Sequence, residues 1–138
     1  MKRIFLAIGI FSSVFFFAQK SNTYLYLGYN SMCCGTPSTD PVITYIENFQ
    51  SKNRRKPIEI YTQSGLGREG EFKLFIGIDA LSKSKRKNFI KGLEETVILQ
   101  NNKRNRSSDG TIFFTPTQSV SKENLKKLNN LTIYKKGN

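Results

Sequence analysis

Cys33 and Cys34 stand side by side, preceded by Met32, and they are the only cysteines of the chain. Three soft donors in a row admit a short list of chemistries. Adjacent Cα atoms lie about 3.8 Å apart across a trans peptide, short of the usual disulfide range that begins near 4.4 Å. A vicinal disulfide here is a tight ring and easier to reduce than an ordinary bridge. The other outcomes are a reduced pair holding a soft metal, a bond to another chain, or thiols that only pack. The residues leave all four open.

The remaining chemistry is narrowed by what is missing. The chain has no His and no Trp. Ser-His and Cys-His nucleophile pairs and His-ligated metal sites are therefore excluded within it. Glu69 and Glu71 flank a glycine, and Glu94 and Glu95 are neighbours; neither pair forms an acid/base constellation. Gly65-Leu66-Gly67-Arg68-Glu69-Gly70 matches G-x-G-x-x-G, but a strand follows it instead of the helix that a dinucleotide needs. It reads as a hairpin loop in which Arg68, beside exposed amides, is a candidate anion contact.

Charge gives the second candidate surface. The 22 basic residues exceed the 10 acidic ones by 12. Such an excess suits an anionic partner: an acidic protein, a glycan or a membrane surface. The candidate partner-binding residues are Arg54, Arg55, Lys56, Arg68, Lys103, Arg104 and Arg106. Residues 1–18 have the layout of a secretory signal peptide: Lys2 and Arg3, an apolar run from Ile4 to Phe17, then Ala18-Gln19 as the junction. A secreted or periplasmic protein follows from that reading. Nucleic acid becomes a poor partner, and an oxidising compartment favours paired thiols. Residues 19–138 then form one domain, large enough to fold without disulfide support.

The elements that must position these residues read as follows. Thr23–Tyr29 alternates as a strand with Leu25, Leu27 and Tyr29 on one face and Tyr24 and Tyr26 on the other. Asp40 and Pro41 start a helix over 41–51 that carries Val42, Ile43, Ile46 and Phe49. Ile58–Thr62 and Phe72–Ile78 are strands joined as a hairpin. Ser82 caps a second helix with Phe89, Ile90, Leu93 and Val97 inside and a basic outer face. Gly92 weakens that helix, and Thr96–Gln100 fits helix or strand equally. Thr111–Thr115 is a strand ended by Pro116; Ser121 opens a short helix; Leu131–Tyr134 is an edge strand.

This order is that of a ferredoxin-like split β-α-β fold, with an antiparallel sheet and both main helices on one face. The two most apolar strands, Thr23–Tyr29 and Phe72–Ile78, should be central neighbours. Basic residues 52–56 and 103–106, each following a helix, are expected at the same edge. Tyr24, Tyr26 and Tyr61 are half-buried sheet residues on the open face.

In such a fold the loop after the first strand is where heavy-metal-associated domains carry a Met-x-Cys-x-x-Cys site. Met32, Cys33 and Cys34 resemble it in place and in residue type, without the two-residue spacer. The resemblance covers that one loop and implies a soft cation such as Cu(I), with copper the cofactor. The leading expectation is different: a small exported basic binding module without catalysis of its own and without a cofactor, recognising an acidic partner. The alternative is a thiol redox or Cu(I)-binding protein working through Met32, Cys33 and Cys34.

Overall fold

The computed structural model describes residues 23–53 and 57–136. The signal-peptide reading of residues 1–18 and the candidates Arg54, Arg55 and Lys56 lie outside the described residues.

The described residues form, in order, β1 (Thr23–Asn30), α1 (Asp40–Asn53), β2 (Ile60–Gln63), β3 (Phe72–Gly77), α2 (Lys83–Lys103), β4 (Thr111–Ser121), α3 (Lys122–Lys126) and β5 (Leu131–Ile133). The strands form one sheet in the order β4-β1-β3-β2-β5. Every neighbouring pair is antiparallel. β1 and β3 are central neighbours in the register Leu25–Ile76 and Leu27–Leu74. Their alternation fixes which face each side chain takes, because a slip by one residue would turn the whole apolar set outward.

One face carries the main core. Leu25, Leu27 and Tyr29 of β1 and Leu74 and Ile76 of β3 are buried there with Val42, Ile43 and Ile46 of α1 and Phe89, Leu93 and Val97 of α2. On the other face Tyr24 and Phe75 are buried with Leu125 of α3. Tyr24 also donates a 2.7 Å hydrogen bond to Glu59, which satisfies its hydroxyl under cover. Tyr29 stacks on Phe72 at 4.5 Å between ring centres, and its hydroxyl has no hydrogen-bond partner among the described residues. Burial pushes the Tyr24, Tyr29 and Tyr45 phenols above the ordinary tyrosine value.

One open alternative is decided and three expectations need correction. The segment Thr96–Gln100 is helix, so α2 runs through Gly92 to Lys103. Gly92 is there for space: a Cβ would overlap the Tyr45 hydroxyl and ring. Tyr45 lies across the helix pair and donates to the Phe89 carbonyl at 2.9 Å. β4 does not stop at Pro116. Leu27 pairs with Phe114 but Leu25 with Ser119, so the intervening residues of β4 bulge out around the proline. An edge strand with a bulge is where a sheet tolerates a residue lacking N–H. Ser82 occupies the α2 N-cap without a side-chain cap bond.

The third correction concerns the basic runs. α1 carries the chain from the end of β1 back to the start of β2, and α2 carries it the opposite way from the end of β3 to the start of β4. Their termini cross over accordingly: Gln100 near the end of α2 donates to the Ser38 carbonyl just before α1, at 2.8 Å. The last turn of α1, with Lys52, therefore sits at the opposite end of the sheet from Lys103. Antiparallel helices cannot place both C-termini together.

Candidate functional site

Three loops meet at the end of the sheet where β1 finishes. Residues 31–39 follow β1 and carry the cysteines. Residues 104–110 join α2 to β4. The β2–β3 hairpin, residues 64–71, lies at the same end because Tyr29 pairs with Phe72. The first two enclose a cleft of about 330 Å³ lined by Cys34, Ser38, Gln100, Asn101, Lys103, Arg104 and Asp109, among others.

Two residues hold these loops together. Gly110 is buried, and a Cβ there would overlap the Asn30 carbonyl and press on Pro37. Only glycine lets the α2–β4 loop come this close to the end of β1. Asn101 ties α2 to the outer edge of β4. Its Nδ2 donates to the Ile112 carbonyl at 2.8 Å, and its Oδ1 accepts from the Ile112 N–H at 2.9 Å. Ile112 faces Tyr29 across the β1–β4 ladder, and the Asn101 amide supplies the bonds a further strand would give it.

The 104–110 loop is shaped by its own polar groups. Asp109 accepts from the Asn105 N–H at 2.7 Å, Asn105 accepts from Ser107, and the Arg104 guanidinium donates to the Asp109 carbonyl at 3.3 Å. Asp109 is thus occupied by neutral donors rather than by a cation. Lys103, Arg104 and Arg106 belong to none of the ion pairs among the described residues. Three cations outnumber the two carboxylates here, Asp109 and the Asp40 of the first turn of α1, and leave this corner electropositive. The helix dipoles do not decide its sign. The N-terminus of α1 and the C-terminus of α2 both lie here, each equivalent to about half a charge and of opposite sign.

Cys33 and Cys34 are joined to each other by a disulfide. Both are exposed, and Met32 beside them is 61% exposed. Cys34 lines the cleft, whereas Cys33 turns to the facing loop, its Sγ 3.4 Å from the Ser108 carbonyl oxygen. Joined in this way the sulfurs offer no thiolate, so a soft cation would need the pair reduced first. Among the described residues no three His, Cys, Asp or Glu side chains cluster as a metal site.

The structure therefore brings Cys34, Lys103 and Arg104 to one cleft, with Met32, Cys33 and Arg106 on the same two loops outside its lining. Arg68 stands apart on the hairpin. The amides of that loop already have an anion: the Glu71 carboxylate accepts from the Glu69 N–H at 3.0 Å. Ser38, Gln100, Asn101, Ser108 and Asp109 were not singled out from the sequence, where nothing marks polar loop residues that far apart as neighbours. Among the described residues no helix is long and apolar enough to cross a membrane. No protein-family model, no curated protein and no solved structure matches the chain.

Proposed function

We propose that this chain is an exported binding module, without catalysis of its own, that takes an acidic peptide segment of a partner protein in the cleft between residues 31–39 and 104–110. The observation that carries the reading is the convergence of Lys103 and Arg104 on a cleft whose neighbouring carboxylate, Asp109, is taken up by neutral donors. The scaffold is the ferredoxin-like split β-α-β arrangement, lengthened by β5. It is supported by the order β4-β1-β3-β2 and by α1 and α2 sharing one core on one face. Export rests on the layout of residues 1–18, and the paired cysteines suit it. An intact Met1 on the protein from its host would remove that part.

The test is fluorescence anisotropy with a labelled, cysteine-free, Glu-rich peptide at low and physiological salt. Lys103→Gln/Arg104→Gln/Arg106→Gln should weaken binding by roughly tenfold or more at low salt, because two or three cations near a carboxylate are lost. Lys83→Gln/Lys87→Gln/Lys126→Gln removes the same charge elsewhere and should change affinity less than threefold. Equal losses in the two variants would reduce the effect to net charge and sink the reading.

A second reading is favoured by Met32, Cys33 and Cys34 all being exposed in one loop. After reduction, these three soft donors capture Cu(I). Titration of the reduced chain against a Cu(I)-chelating indicator decides it; no competition with the indicator rejects it.

A further inference from the structure

We infer that the Cys33–Cys34 disulfide exchanges with low-molecular-weight anionic thiols that enter this cleft, and that Cys34 is the sulfur they attack. The inference rests on the cleft being the anion-binding site proposed above, and adds a reaction and a substrate class to it. Three observations converge. The disulfide is exposed, so a nucleophile can reach it. Its two residues are not placed alike: Cys34 lines the cleft, and the Cys33 sulfur lies against the Ser108 carbonyl. Lys103 and Arg104 line the same cleft, where they attract a carboxylate or sulfonate carried by the incoming thiol. At about 330 Å³ the cleft is at the small end of the range for small-molecule sites.

The step is balanced without any other reagent. The thiol ionises, and its sulfur attacks Cys34 Sγ. The S–S bond to Cys33 breaks as the bond to the incoming sulfur forms. Cys33 leaves with the electron pair and takes up the proton that the thiol gave, so the incoming sulfur is oxidised and Cys33 is reduced. The new Cys33 thiol has an acceptor in place, because the Ser108 carbonyl oxygen lies 3.4 Å from its sulfur. In the reverse step Cys33 attacks Cys34 and expels the thiol.

The probes are mercaptoethanesulfonate, mercaptoethanol and cysteamine, which carry a negative, a neutral and a positive group beside the same kind of thiol. The oxidised protein is mixed with each at low ionic strength, quenched in acid, alkylated and weighed intact. Rates are compared per thiolate. Two cations at ~6 Å from the sulfonate in water correspond to a rate advantage of roughly tenfold over the neutral thiol. The expected order is sulfonate, neutral, cationic. Fragmentation between the two residues should place the adduct on Cys34 and the alkyl group on Cys33.

Lys103→Gln/Arg104→Gln should bring the sulfonate rate down to the neutral one measured in the same variant. Because Arg104 also braces its loop, Lys103→Gln alone is the second variant, with an expected loss of about threefold. A flat or inverted charge order, an adduct on Cys33, or unchanged sulfonate rates in both variants would overturn the inference. Since the Glu-rich peptide has no thiol and mercaptoethanol has no charged group beside its thiolate, peptide binding with a flat thiol order would fail the exchange and leave the binding reading standing. Failure of the peptide together with a flat order would fail both.

Discussion

Asn101 is the residue whose replacement should report most directly on how the cleft is held. Its side chain makes two hydrogen bonds to the backbone of Ile112, one donated and one accepted. A neutral hydrogen bond contributes about 0.5–1.5 kcal/mol net, so the pair contributes about 1–3 kcal/mol. Alanine is the better helix former by about 0.5 kcal/mol, which offsets part of the loss. Asn101→Ala should therefore destabilise by about 0.5–2.5 kcal/mol. Asn101→Asp is the sharper test. It keeps an acceptor for the Ile112 N–H but puts a second carboxylate oxygen against the Ile112 carbonyl. It also adds a negative charge near the helix C-terminus, which costs a further 0.3–1 kcal/mol or so. The near-isosteric change should thus be worse than truncation at pH 7. Its sign with pH is fixed. The protonated carboxyl regains a donor, so its folded-state pKa lies above the unfolded one. That contribution is present below about pH 4 and is lost as pH rises through the folded value. Urea unfolding of wild type and both variants at pH 7 and pH 4 reads all of this. The reasoning fails if Asp is tolerated as well as Ala at pH 7, or if its deficit against wild type does not shrink in acid.

Two further outcomes follow from the packing. Gly92→Ala should destabilise by about 1–3 kcal/mol despite alanine's helix propensity, because a Cβ meets the Tyr45 ring, and a higher urea midpoint would refute that account. Stability should also fall as pH rises past 10, the ordinary tyrosine value, because Tyr24, Tyr29 and Tyr45 are held protonated by burial, with Glu59 adding to the effect at Tyr24 and Glu95 at Tyr45. With folded-state values raised, the native state binds more protons than the unfolded chain above that pH, so their contribution is complete below pH 10 and is lost above it. Denaturant midpoints that stay level between pH 9 and 11.5, or a Tyr29→Phe variant with as steep an alkaline fall as wild type, would contradict this.

The sheet was legible where residues alternate. Leu25, Leu27 and Tyr29, and then Leu74 and Ile76, identify both the central pair and its buried face, since a two-residue period leaves few ways to bury them. The failures came where a local rule met a tertiary reason. Glycine at 92 weakens the helix pattern and leaves its end open until Tyr45 is known to need the space. Proline at 116 reads as a strand end until the bulge on an edge strand is known. The placement of the basic runs failed for a different reason. Following each helix in sequence is not the same as sharing an end of the domain when the helices run in opposite directions.

The site itself was half legible. Cys33–Cys34 and Lys103–Arg106 were both visible as unusual local compositions, but nothing in either stretch says that they face each other. What joins them is the close approach at Gly110 and the Asn101 clamp, and neither carries a compositional signal. A glycine after Asp reads as an ordinary turn, and an Asn in a polar run reads as solvated. Both readings are sound for a loop in isolation. They fail because β4 is an edge strand whose outward backbone groups need partners, and the nearest available group is the end of the helix that precedes it. The same need that satisfies the edge brings Lys103 and Arg104 beside Cys34. If that is why the cleft exists, loosening Asn101 should cost charge selectivity in thiol exchange as well as stability. Asn101→Ala should then narrow the sulfonate-to-neutral rate ratio. A variant that loses stability but keeps the full ratio would separate the clamp from the site.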